Sequence, residues 1–79
     1  MKKQVIEIVG WYGVVAIILA YAGLSFGFLD LSHPAYQLLN LTGSIGILID
    51  ALSKKDYEPV VINIFWMVIA VIALVRLIV

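Results

Sequence analysis

Three long apolar runs, separated by two short polar breaks, constrain this chain more than any other feature. The first runs from Val5 to about Phe28, the second from about Pro34 to Leu52, the third from Pro59 to Val79. A helix needs roughly 20 residues to cross about 30 Å of hydrocarbon. Runs one and three meet that length easily; run two meets it narrowly, because its ends are polar. A three-stranded sheet would leave its edges unpaired in lipid. The breaks read "GFLDLSHP", Gly27 to Pro34, and "SKKDYEP", Ser53 to Pro59. Each ends in a proline, which is at home in the first turn of a helix. Loops this short make neighbouring helices antiparallel. The expected fold is all-α and integral to the membrane: one transmembrane domain over residues 1–79, with helices at about 5–28, 34–53 and 58–79 in an up–down–up bundle.

Composition points the same way. Hydrophobic residues make up 65% of the chain, against about 45–50% in a soluble domain. A soluble chain of 79 residues also has too little interior to bury them. The bilayer is therefore the expected partner. The net charge is zero, so no basic surface points to nucleic acid. The absence of cysteine removes disulfides, thiol chemistry and cysteine-ligated metals. Asp30 and His33 share one loop but are too few for a metal centre. No Ser–His–Asp set, carboxylate dyad or phosphate loop is present, so neither an enzyme nor a cofactor is expected. Lys2 and Lys3, an apolar stretch and "AYAG" around Ala20 and Ala22 resemble a signal peptide. Glu7 and the unbroken apolar run beyond that site favour a retained helix.

The cationic residues set an expected orientation. Lys2 and Lys3 precede helix one, Lys54 and Lys55 lie between helices two and three, and the first loop has no lysine or arginine. The positive-inside bias then places the N-terminus and second loop in the cytoplasm and the C-terminus outside. Arg76 is close enough to the far interface to snorkel.

The stretch "LLNLTGSIGILID", Leu38 to Asp50, carries polar groups that lipid cannot satisfy. On a wheel at about 100° per residue, Tyr36, Gln37, Asn40, Gly43, Ser44, Gly46 and Asp50 share one half of helix two. Thr42 lies on the other half, where its hydroxyl can bond its own backbone. Small residues allow close helix approach, and amides bond across helices, so helix two is expected at the centre or at a seam with another copy. Helix one offers Gly13, Ala16, Ala20, Gly23 and Gly27, the last two as a GxxxG. Helix three offers Asn63, Trp66, Ala70, Ala73 and Leu77 on one face.

Depth, at about 1.5 Å per residue, sorts these residues into layers. An outer group comprises Tyr21, Tyr36, Gln37 and Asn40, and an inner group Trp11, Asn63 and Trp66. Gly43 and Ser44 lie between them. Asn40, Ser44, Asn63, Trp66, Trp11 and Gln37 are the candidate contacts, either between helices or to a solute. Gly13, Ala16, Ala20, Gly23, Gly27, Gly43 and Gly46 are the candidate packing positions. Asp50 is expected to pair with Lys54, and Glu7 with Lys3, at i, i+4 spacing.

The segments "YQLLNLTGSIGIL" and "DYEPVVINIFW" resemble a family of small, uncharacterised bacterial three-helix membrane domains, the CBU-like group. Trp11, Gly13, Tyr21, Leu39, Asn40, Gly43, Pro59, Asn63 and Trp66 carry the resemblance, which implies a fold but no agreed activity. The size and helix count are also similar to SemiSWEET-type half-transporters. That likeness implies a parallel dimer around a solute path with an Asn–Trp pocket pair, for which Asn63 and Trp66 are the candidates. The proline hinge of that family is absent, since helix one has no proline. Three helices alone cannot enclose a path, so transport requires an oligomer. The expectation is a homodimer, acting as a half-transporter for a small polar solute. The alternative is a non-transporting accessory subunit that packs on another membrane protein.

The orientation is directly testable because the chain lacks cysteine. Ser32→Cys in intact cells is expected to react with an impermeant maleimide, and Asp56→Cys only after the membrane is opened. The reverse labelling pattern would invert the topology.

Overall fold

The computed structural model describes residues 2–79. It contains three helices, α1 (Lys3–Ser25), α2 (Pro34–Ser53) and α3 (Tyr57–Ile78). Each is long and apolar enough to cross a membrane. At about 1.5 Å per residue they are each about 30–35 Å long. The molecule is 36 Å in its longest dimension, so all three run lengthwise.

The helix ends follow from local chemistry. Helix α1 stops at Ser25, three residues before the expected Phe28. Gly27 adopts φ +82°, a left-handed conformation that glycine takes without steric cost. The Phe28 N–H then donates to the Gly23 carbonyl at 2.9 Å, and the Gly27 N–H to Leu24 at 3.3 Å. These two bonds form a Schellman cap. Helix α2 ends in the same way, with Lys55 at φ 55° and the Asp56 N–H donating to Ala51 at 3.0 Å. It begins with Pro34 in its first turn and with His33 as its cap, whose Nδ1 accepts from the Ala35 N–H at 3.1 Å. Asp30 stiffens the same loop. Its Oδ1 accepts from the Ser32 hydroxyl at 2.7 Å and the Ser32 N–H at 3.0 Å.

The cap corrects the packing role expected of Gly23 and Gly27. Gly27 lies outside the helix with nothing near its missing side chain, and Gly23 backs onto Leu29 of its own loop. The GxxxG here terminates a helix and joins nothing across a seam.

Helix α1 packs on α2 through Gly10, Gly13, Ala16 and Ala20, all buried. Here the backbones themselves meet. A Cβ on Gly13 would lie 2.5 Å from the Gly43 carbonyl oxygen, and one on Gly46 would lie 2.5 Å from that of Val9. Only hydrogen fits, and a glycine Cα–H aimed at a carbonyl makes a weak favourable contact. The partners run in opposite order, Gly10 by Asp50 and Gly13 by Gly43, so the helices are antiparallel as expected. Gly10 belongs to this seam and was not among the residues expected there.

Helix α2 also packs on α3, whereas among the described residues no Cα of α1 comes within 8 Å of one in α3. The bundle is therefore an open three-helix arrangement, with α2 at its centre as expected. The wheel gives the reason. On α2, Gly43, Gly46 and Asp50 face α1, while the buried Gln37, Ser44 and Ala51 stand on the side left for α3. The two seams are centred roughly 120° apart at about 100° per residue. With helix axes about 8–10 Å apart, that angle keeps α1 and α3 out of reach of each other. The buried residues of α3 are Val60, Asn63 and Ala70. Trp66 is 46% exposed and Leu77 41%, so they flank this face and do not belong to it.

Two expectations follow. Gly46→Ala forces a Cβ into the Val9 carbonyl and should cost about 1–3 kcal/mol by overpacking, while Gly27→Ala should cost about 1 kcal/mol through φ alone. Denaturation in mixed micelles reads both, and an unchanged midpoint for Gly46→Ala would remove the seam argument. Asp30 is the second case. The Ser32 hydroxyl and N–H hold its carboxyl below the usual carboxylate pKa. That stabilisation is present above the unfolded carboxylate's pKa and is lost as pH falls through the lowered folded value. Ser32→Ala should move the Asp30 midpoint upward in an NMR titration.

Candidate functional site: the notch between α1 and α3

Because α1 and α3 stay apart, α2 is the floor of a notch. At about 100° per residue, the side of α2 between its two seams carries Tyr36, Asn40 and Ile47. All three are half-buried, as expected for floor residues. The same construction places Trp11, Val14 and Tyr21 on the rim formed by α1, and Trp66 and Ala73 on the rim formed by α3. Trp11 and Tyr21 are each 69% exposed and Trp66 is 46% exposed. The opposite side of the α1–α2 seam is closed by a side-chain bond. The Thr42 hydroxyl donates to the Leu38 carbonyl at 2.8 Å, as expected of it, and so accepts the Tyr12 hydroxyl at 2.8 Å. The sequence offered one signal for that Tyr12 bond: both residues sit on the lipid-side halves of their wheels, where hydroxyls need partners.

The candidate residues divide between notch and seam. Asn40, Trp11 and Trp66 belong to the notch. Ser44, Asn63 and Gln37 do not, since only 0%, 3% and 6% of their surfaces are exposed. The Gln37 amide donates to the Leu31 carbonyl at 2.8 Å and ties α2 to the first loop. The Asn63 amide donates to the Pro59 carbonyl one turn back at 2.8 Å. The Ser44 Oγ and Asn63 Oδ1 are buried without hydrogen-bond partners.

The expected layers are therefore split. Trp11 and Trp66 rim opposite walls of the notch, and Asn63 is enclosed in the α2–α3 seam beside neither. Tyr21 and Tyr36 are on the notch with Asn40, while Gln37 is committed to the loop. The polar stripe of α2 is real, but it serves three environments: the glycine seam, the Ser44 seam and the notch floor between them.

At the lysine-bearing end, Lys54 Nζ lies 3.2 Å from Asp50 Oδ2, as expected from their spacing. The Glu7–Lys3 pair expected by the same rule does not form, for Asp50–Lys54 is the one ion pair among the described residues. No group of three or more His, Cys, Asp or Glu that could hold a metal is present among the described residues. Asp30 and His33 are both used within their turn.

No curated protein and no solved structure matches the chain. One family model does, over residues 6–79, which includes α2, α3, all but the first three residues of α1 and every notch residue. That family is uncharacterised, and three helices suit a small three-helix domain. The match spans far more than half of the sequence, and the chain belongs to this uncharacterised family.

Proposed function

We propose that this is a small multi-pass inner-membrane protein that assembles as a parallel homodimer, with two notches facing across the twofold axis to form a path for a small polar solute. The observation that carries this reading is the notch itself. Its rim bears Trp11, Tyr21 and Trp66, and its floor bears Asn40. A notch with aromatic faces along its rim and an amide on its floor suits a polar solute with an apolar side. A twofold axis would double each of these groups and surround a path that one copy leaves open. The lysines at one end support a cytoplasmic N-terminus and second loop, with the C-terminus outside.

Transport along the full Asn40, Ser44, Asn63 and Trp66 face is no longer the form of the proposal, because Ser44 and Asn63 are enclosed within one protomer. Their enclosure also favours a second reading, a non-transporting accessory subunit. In that reading the amides and hydroxyls serve only to hold helices together, and the notch receives a helix of a different membrane protein.

Two substitutions separate these readings. In native mass spectrometry from mild detergent the chain is expected as a dimer. Asn40→Leu should preserve that dimer and abolish uptake of polar solutes into proteoliposomes. Asn63→Leu should lower the stability of the protomer by about 0.5–2 kcal/mol, the scale of an interhelical polar contact in a membrane. A monomer at every concentration, or a dimer whose uptake matches empty liposomes, would sink the transport reading and leave the accessory one.

A further inference from the structure

At the lysine-bearing end of the notch lies a crevice of about 340 Å³ whose walls come from α1 and α2 alone. Glu7, Asp50 and Lys54 line it towards the helix ends, and Trp11, Val14 and Ile47 line it further along the helices, with Gly10 between. The missing side chain of Gly10 lets the Asp50 side chain sit where a Cβ would be only 2.8 Å away. A second crevice of about 290 Å³ shares Glu7, Asp50 and Lys54 and adds Lys3 and Ser53. The polar groups thus stand between two openings at the helix ends.

The geometry points to a binding site for the headgroup of a primary-amine phospholipid, one carrying phosphoethanolamine. Four features converge on this chemistry. The first is charge: in this crevice two carboxylates face one ammonium, with Lys3 in the adjoining crevice, and Glu7 makes no ion pair among the described residues. The second is an unmet acceptor. Asp50 Oδ2 has Lys54, but Oδ1 is buried without a hydrogen-bond partner. The third is Trp11, whose exposed indole lies beside those carboxylates and attracts a cation to its face. The fourth is the gradient from a charged lining towards the helix ends to an apolar one further along the helices. A lipid presents the same sequence of groups, ammonium and phosphate first, then glycerol and chain.

Position agrees with chemistry. Glu7 is one turn into α1 and Asp50 one turn before the end of α2, so both lie about 5–6 Å inside the helix ends. That is the depth at which headgroup gives way to hydrocarbon. Lys54 is largely exposed and uses one of its three N–H groups on Asp50, which leaves donors for the lipid phosphate. Only a primary ammonium can donate hydrogen bonds to both carboxylates, and a quaternary one has none to give. Helix α3 contributes nothing to the site, which shares Trp11, Val14 and Ile47 with the notch.

The test uses the whole chain reconstituted in vesicles of equal parts phosphatidylethanolamine, phosphatidylcholine and phosphatidylglycerol. Lipid retained after gentle detergent release is weighed by native mass spectrometry. Phosphatidylethanolamine should be enriched roughly three- to tenfold over the other two, the scale of one cation–π contact or ion pair. Glu7→Gln and Asp50→Asn should each remove the enrichment, and Trp11→Leu should reduce it. Asp50 touches the glycine seam, so a destabilised Asp50→Asn protein would leave Glu7→Gln, on an exposed residue, to decide. Enrichment of phosphatidylglycerol, equal retention of all three, or enrichment that survives Glu7→Gln overturns the proposal. Free phosphoethanolamine at low millimolar concentration should fail to displace the lipid. Displacement would assign the crevice to a soluble amine and overturn the lipid reading.

Discussion

The backbone contact between α1 and α2 at Gly13, Gly43 and Gly46 governs the rest of the structure. In lipid no hydrophobic force draws helices together, because lipid tails are as apolar as the side chains. Association rests on close packing and polar contacts. Three glycines let the two backbones approach until a Cβ would collide with a carbonyl. This contact sets the rotation of α2. With Gly43 and Gly46 turned to α1, Gln37, Ser44 and Ala51 are turned to another side, and α3 covers that side. The position of α3, the separation of α1 from α3, and the notch are consequences of that rotation.

The same constraint explains how the polar groups are distributed. A group in hydrocarbon needs a partner within the protein. Gln37 finds the Leu31 carbonyl, Asn63 finds the Pro59 carbonyl, and Thr42 links Leu38 to Tyr12. Each of these bonds uses a backbone carbonyl at or near a helix end, or a hydroxyl that bonds back to its own helix. None crosses from α1 to α3. Asn40 on the notch floor and the charged cluster around Asp50 keep partial exposure. They are accordingly where the functional proposals lie, one on the notch floor and one at the helix ends.

Much of the fold was legible in the sequence, and particular residues show where legibility ended. The three apolar runs, the two proline-ended breaks and the small residues Gly13, Ala16, Ala20, Gly43 and Gly46 all read correctly, since helical periodicity and side-chain size are local properties. Asp50 with Lys54 read correctly for the same reason. Gly27 did not. A GxxxG looks alike whether it packs a seam or ends a helix, and only φ at Gly27 separates the two. Gly10 was missed because its role arises from Asp50, forty residues away.

The sequence by itself determined that the chain forms three helices long and apolar enough for a bilayer, that they alternate in direction, and that α2 carries the polar stripe. Length, hydropathy and loop size are sufficient for each of these. Only the tertiary structure decided how that stripe is shared. A helical wheel shows which residues lie on one half, but two neighbours can divide that half at any angle. The angle was set by where backbones could meet without a Cβ between them. That contact turned Ser44 and Asn63 inward, left Asn40 on an open floor, and gathered Glu7, Trp11 and Asp50 around one crevice.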